Sequence, residues 1–419
     1  MAEMKFNEWY EPTPADWMIQ RMKNIMSPRE EKSIDGEEEL LSVTINEGII
    51  KRTEYLDEDE GTSRADSLVG YKVVSPTNLV NNIMKMSFRC LGVSTHEGIV
   101  SPAYSVFELN HSKVDPTYLN FLLRIDRYVA EYRKLSKGIQ ESRMRLYDDF
   151  FLAMKVIVPP LDEQKRISHY LDKKTTQIDS LINKIEKKIE LLKEQRTSLI
   201  NQYVTKGLDP NVEMKDSGIE WIGEIPNRWK KVPIKHLFKY QKGGRAQLLT
   251  QEYIQSNPGP YPVFSGSTTS EGIGSIDDFD FDFNSVIHVS TVGSEKIMST
   301  QILRGKFSLS QNCLILIPKA KISVEFIHWV LETNFTELRK QLPKILQLSF
   351  RYEDLDNISL FIPELSEQLA IVGYATPKIQ RIDRLSEREN SRINLLKEYR
   401  QSLISSIVTG KVRVTEDML

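Results

Sequence analysis

Between Pro159 and Thr205 apolar residues recur every seven positions on a charged background: Ile178, Ile185, Leu192 and Leu199, with Leu181 and Ile189 widening the stripe. That spacing predicts a long amphipathic helix. The pattern returns near the C-terminus as Ile382, Leu396 and Leu403 with Leu385 and Ile393 beside them, and Glu389 takes the place of the remaining stripe residue. Acids follow a proline at each start (Asp162, Glu163 and Glu367), and Gly207 and Gly410 follow each last turn, as helix termini prefer. About 40 residues at 1.5 Å each make a rod of about 60 Å. One such helix alone reads as a solvated helix on its own domain. Two with matching stripes are expected to pair as a coiled coil, antiparallel because the second globular insert must begin at the far end of the first helix.

The segments between these helices alternate differently. LLSVTI (40–45), SLVGYKVV (67–74) and YSVFEL (104–109) read as strands, and DPTYLNFLLRIDRYVAEYRKL (115–135) reads as one amphipathic helix. Later, SVIHVSTVG (285–293) and NCLILIPKAKIS (312–323) are the strands and VEFIHWVLETNFTELRKQL (324–342) the helix. Each insert helix is followed by a polar loop and a strand that runs into a proline, Pro159 or Pro363.

That order is a duplication. Pro159–Thr205 aligns without gaps on Pro363–Thr409 at an offset of 204, and 21 of the 47 aligned positions are identical, including Glu163/Glu367, Gln164/Gln368, Asp179/Asp383 and Arg196/Arg400. A shorter echo at an offset of 212 pairs Glu8, Trp9, Pro14, Trp17 and Lys23 with Glu220, Trp221, Pro226, Trp229 and Lys235. The four tryptophans are expected to bury where each insert joins the helical frame. The fold class expected is α+β: two α/β domains separated by two long helices forming an antiparallel coiled coil, with an internal pseudo-two-fold repeat. The boundaries expected are 1–158, 159–206, 207–362 and 363–419.

Composition adjusts this picture in two ways. The chain has 419 residues, 40% hydrophobic and 27% charged, which suits two soluble domains. No run approaches a membrane span, and the N-terminus lacks a signal-peptide pattern, so the chain is expected in the cytoplasm. Cys90 and Cys313 stand in apolar contexts and are expected as buried free thiols; the six histidines have no metal-ligand spacing. The formal charge of −2 hides local blocks: Pro226–Arg245 holds seven Lys or Arg and no acid, whereas Glu30–Glu60 holds twelve acids against three bases. The acidic block is expected to face away from any phosphate. There is no GxxxxGK[ST] loop, no Asn-Pro-Pro-aromatic tetrad and no Gly-rich cofactor loop after a strand, so recognition rather than catalysis is the expected task.

The phrases IVPPLDEQKRISHYLD…LLKEQRTSLINQYVTKGL, FIPELSEQLAIV…LLKEYRQSLISSIVTGKV and IEWIGEIPNRWKKVPIKHLF resemble the DNA specificity subunit of Type I restriction-modification systems, in the same order over essentially the whole chain. The resemblance implies a non-catalytic subunit whose two target-recognition domains each read one half of a bipartite site in double-stranded DNA. It also implies helices that space the readers and dock two methyltransferase subunits, with restriction/translocase subunits joining that core. No cofactor is implied for this chain; S-adenosylmethionine, ATP and Mg belong to the partners. A rival reading is a coiled-coil scaffold whose inserts bind proteins.

Base reading needs donors and acceptors on loops, with Lys and Arg on flanking phosphates. In the second insert the candidates are Lys242 and Arg245 around a Gly-Gly turn that allows close backbone approach, Ser267 and Thr268, then Thr291, Ser294 and Lys296, and finally Lys344, Gln347 and Arg351. In the first they are Lys137, Gln140, Arg143 and Arg145, then Thr95 and His96, with Lys72 and Asn78 weaker. Solvated turns are the alternative for each. Helix packing is assigned to Ile178, Leu181, Ile185, Leu192, Leu199, Ile382, Leu385, Leu396 and Leu403.

Overall fold

The computed structural model describes residues 13–45, 47–54, 67–138, 144–266, 271–293, 297–340, 348–349 and 351–419. The chain forms two compact units: Met1–Ile185 with Ser391–Leu419, and Glu186–Asn390. Two long helices, Leu161–Lys206 (the central helix) and Leu365–Val408 (the distal helix), each give one half to each unit.

In the first unit a four-stranded antiparallel sheet is built from β1 (Met26–Pro28), β2 (Leu79–Asn82), β3 (Leu91–Val93) and β4 (Tyr104–Leu109), in the order β1-β4-β2-β3. The single helix expected over 115–135 is two: α1 (Pro116–Leu123) and α2 (Asp126–Leu135). Ile125 is extended (φ −74°, ψ 152°) and starts α2, with Asp126 in its first turn, so the chain bends where the apolar stripe looked continuous. Asp115 caps α1 by accepting from the Tyr118 N–H, with Pro116 at the first position. The core gathers Trp17, Phe107, Tyr118, Tyr132 and Phe151 with Ile167 and Leu171 of the central helix and Ile404, Ile407 and Val408 of the distal helix.

The second unit has a larger mixed sheet of β5 (Phe238–Gln241), β6 (Pro258–Phe264), β7 (Gly274–Ile276), β8 (Phe281–Ser290), β9 (Thr300–Leu309) and β10 (Cys313–Pro318), in the order β5-β10-β8-β9-β6-β7. Only β6 and β9 run parallel. The helix α3 (Val324–Lys340) covers it, and Trp229, Phe326 and Phe335 pack with Ile200, Tyr203 and Val204 of the central helix and Ile371, Ala375 and Ile379 of the distal one. Both cysteines are buried and free.

The duplicated residues make the same contacts in each unit. Met18–Arg21 pairs antiparallel with Lys155–Val158, and Lys230–Pro233 pairs with Ser359–Ile362 in the same register. Gln164 and Gln368 each donate from Nε2 to the carbonyl of the frame proline, Pro159 (2.8 Å) or Pro363 (2.9 Å). Their Oε1 atoms accept from the backbone N–H at the start of the insert helix, Asp115 (2.8 Å) or Ser323 (2.9 Å). The repeated Pro-x-Leu-x-Glu-Gln phrase is thus a clamp on the insert. Trp17 Nε1 donates to Glu163 (3.0 Å) and Trp229 Nε1 to Glu367 (3.4 Å). Gly410 and Gly207 stop the long helices at φ +76° and +74°, where L side chains are strained, and a Cβ on Gly410 would strike Pro14 at 2.3 Å.

Within each unit the two helix halves run antiparallel. Asp179 receives Arg400 Nε and Nη2 (2.9 and 3.1 Å) in the first; Arg196 Nε donates to Asp383 (2.9 Å) in the second. Ile178, Ile185, Leu192 and Ile382 are buried, whereas Leu181, Leu199, Leu385, Leu396 and Leu403 are half-buried. Ile182, rather than its neighbour Leu181, takes the buried place between Ile178 and Ile185, so burial runs at alternating steps of four and three.

Candidate nucleic-acid interface

Three loops far apart in sequence meet in the second unit. A cleft of about 760 Å³ is lined by Lys242, Gly243, Gly244, Arg245 and Gln247 from the loop after β5, Thr291 and Val292 after β8, and Ser349, Arg351 and Glu353 before the frame strand. The turn between β9 and β10 supplies Ser310, Gln311 and Asn312. A short ladder, Val292–Gly293 against Leu348–Ser349, ties two of these loops together.

The cations in the cleft are held differently. Lys242 and Arg351 are exposed. The Arg245 guanidinium donates to Asp280 (2.6 Å) and Asp278 (3.0 Å). The Asp280 hydrogen bond holds it protonated more firmly than an ordinary arginine. Its charge is thus matched within the fold through Nε and Nη1. The Gly-Gly turn also differs from expectation. A Cβ on Gly243 would lie 2.2 Å from the Leu309 carbonyl oxygen, so the close approach made there is to the protein's own β9; only Gly244 has open space. Thr291 is buried and its N–H donates to the Asn312 carbonyl (2.8 Å), a turn-fixing role. Ser267, Thr268, Ser294, Lys296, Lys344 and Gln347 lie outside the described residues.

In the first unit Lys137 and Arg145 exchange backbone hydrogen bonds (2.9 Å each way) and are both exposed, with Lys137 Nζ 4.3 Å from the Phe150 ring centroid. Gln140 and Arg143, between them, lie outside the described residues. Thr95 is exposed and His96 half-buried in a turn fixed by Ser94 Oγ, which accepts from the His96 N–H (3.1 Å). Asn78 is buried, and its Oδ1 accepts from Arg29 Nη1 (2.8 Å) and the Ser75 N–H (2.9 Å), so that oxygen closes a turn. Lys72 is largely covered and lies 3.7 Å from Glu30.

Sequence reasoning did not single out Gln247, which follows Arg245 in the same loop, or Gln311 and Asn312, whose only signal was the short polar break SQN (310–312) between two apolar strands.

Two unlike α/β inserts held by identical clamps, one of them opening a polar, cation-flanked cleft, define the class: a duplicated recognition subunit. Comparison with known proteins gives the family. The model of the Type I restriction modification DNA specificity domain matches residues 95–191 and 226–395, and the chain belongs to that family. It is similar to the type I restriction enzyme MjaX specificity subunit of Methanocaldococcus jannaschii, 24% identical over 442 residues, covering 96% of this chain and 95% of that protein. The MjaVIII specificity subunit of the same organism is 23% identical over 338 residues, covering 76% and 75%. A solved chain from work on complex assembly and conformational transition of the type I restriction-modification system shares the fold, with TM-score 0.69, 16% identity and coverage of 96% and 99%. The chain is therefore a non-catalytic DNA-recognition subunit, and the protein-scaffold reading falls away. Among the described residues no helix is long and apolar enough to cross a membrane.

Proposed function

We propose that residues 1–158 and 207–362 each read one half of a bipartite site in double-stranded DNA. The helical frames, 159–206 and 363–419, set the separation of the readers and dock two methyltransferase subunits. Restriction/translocase subunits join that core, and S-adenosylmethionine, ATP and Mg act on the partners, in the cytoplasm. The observation that carries this reading is the duplication itself: the strand pairing, the glutamine clamp and the tryptophan–glutamate bond recur in both frames, while the inserts carry different sheets and different loops. A subunit that binds one kind of partner twice and two DNA sequences once each needs that division. Because DNA presents the same face once per turn of about 34 Å, a fixed separation of readers imposes a fixed, unread spacer. Lys242 and Arg351 serve phosphates.

Footprinting of the full chain assembled with methyltransferase subunits of a type I system tests this. Two mutation-sensitive patches with an indifferent spacer are expected, and Lys242→Ala should weaken all sequences alike and reduce the salt slope by about 1. A single continuous read site would overturn the proposal.

A further inference from the structure

The turn joining β9 to β10 has the construction of a base-reading element. Its backbone is fastened on several sides: Ser310 N donates to Phe264 O (2.7 Å), Gln311 O accepts from Gly266 N (3.2 Å), and Asn312 O accepts from Thr291 N (2.8 Å). Ser310 Oγ, buried, donates to Leu249 O (3.0 Å). Gly266 lies so close that a Cβ there would sit 2.6 Å from the Asn312 carbonyl oxygen. Asn312 itself is left-handed (φ 66°), a conformation that asparagine tolerates better than most residues. Yet the side chains of Gln311 and Asn312 are exposed, line the cleft, and make no hydrogen bond among the described residues.

Rigid backbone beneath two adjacent unengaged carboxamides, with Lys242 and Arg351 beside them, is costly to arrange for a solvated turn and well suited to a ligand that carries paired donors and acceptors next to anions. A carboxamide offers one donor and one acceptor in the spacing that matches N6 and N7 of adenine on the major-groove edge, and neither guanine nor the pyrimidines present that pair. We propose that Gln311 and Asn312 are specificity-determining residues of the second unit and that they read adenine. The inference rests on the reading of this unit as a DNA reader. In chain order the corresponding turn of the first unit, before β4, is Ser101-Pro102-Ala103, which has no carboxamide. The two half-sites are accordingly read by different chemistry at that place.

The test is selection from random DNA by the full chain with its methyltransferase subunits, repeated with Gln311→Ala, Asn312→Gly and both; glycine preserves the left-handed turn. The wild type is expected to select adenine at one or two adjacent positions of one half-site, by about 5- to 150-fold over the other bases. The variants should lose that preference and leave the other half-site and the melting temperature unchanged. On the wild-type protein, 7-deazaadenine at those positions, which lacks N7, should weaken binding by a similar factor whatever the variants do. A wild type that selects no sequence would remove the DNA-reading function itself. Adenine preference surviving in the double variant, a uniform loss for all bases, or indifference of the wild type to 7-deazaadenine overturns this assignment alone.

Discussion

Replacing one frame carboxylate by alanine should cost very different amounts in its two copies. Glu163 keeps only 4% of its side chain exposed and accepts three hydrogen bonds: from Trp17 Nε1 (3.0 Å), Arg413 Nε (3.0 Å) and Arg413 Nη2 (2.8 Å). Arg413 is also bound by Asp16 (2.7 Å), which completes the cluster. Removing Glu163 strands the indole N–H of a buried tryptophan and a guanidinium shaped around the carboxylate, and about 3 kcal/mol is the expected loss. Glu367 is 17% exposed; it accepts from Arg228, an arginine on the surface, at 3.0 Å and from Trp229 at a long 3.4 Å. Its loss should cost about 1 kcal/mol. At roughly 2–4 °C per kcal/mol for a unit of this size, Glu163→Ala should lower the melting of the first unit by roughly 6–12 °C, and Glu367→Ala that of the second by only a few degrees. Two units need not melt together, so the assay is hydrogen exchange read on peptides from each unit during denaturant titration. Equal losses, or a larger one at Glu367, would refute the assignment of the cost to burial and to Arg413.

The helix seam and a buried histidine give two further tests. Leu192→Asn should cost about 3 kcal/mol because the side chain is 9% exposed, whereas Leu191→Asn, at 64% exposed, should stay within about 0.5 kcal/mol; a reversed order by chemical denaturation would shift the seam by one residue. Burial pushes His288 down to about 4 from an ordinary 6.5. The unfolded chain therefore binds the proton more readily, and stability is full above about pH 6.5 and falls by about 3 kcal/mol as pH drops toward 4. His288→Leu should flatten that part of the profile for the second unit, and an unchanged slope would disprove the linkage.

The long helices were legible because their heptad is written in the strongest apolar residues, and the duplication because it is ungapped. Leu181 and Ile182 are equally good by periodicity alone; the fold buries Ile182 and leaves Leu181 half-buried. The break at Ile125 was hidden because isoleucine carries no turn signal, and the bend is set by what α1 and α2 must each bury. The candidate site was half visible. Cations on loops mark themselves, so Lys242 and Arg351 could be named in advance and the fold brings them to one cleft, but a side chain's prior engagement does not show: the Asn78 Oδ1 closes a turn, and Arg245 meets aspartates 33 and 35 positions downstream. Gln311 and Asn312 escaped because uncharged amides at a strand turn look like any other turn until the bonds beneath them are seen.

The ion pairs between the helices hold a last consequence. Arg400 is the copy of Arg196, and Asp383 the copy of Asp179, so the bonds Asp179 to Arg400 and Arg196 to Asp383 are one bond made twice. A single copy already carries both the acid and the base, and a second copy laid in reverse satisfies them. The helix is its own complement. A chain that stopped after Lys206 would keep both of these pairs, and two such halves laid in reverse would lose only the Lys188–Glu389 bond, because the copy of Glu389 is Ile185. An insert placed on either frame would therefore meet the same two ion pairs in the seam.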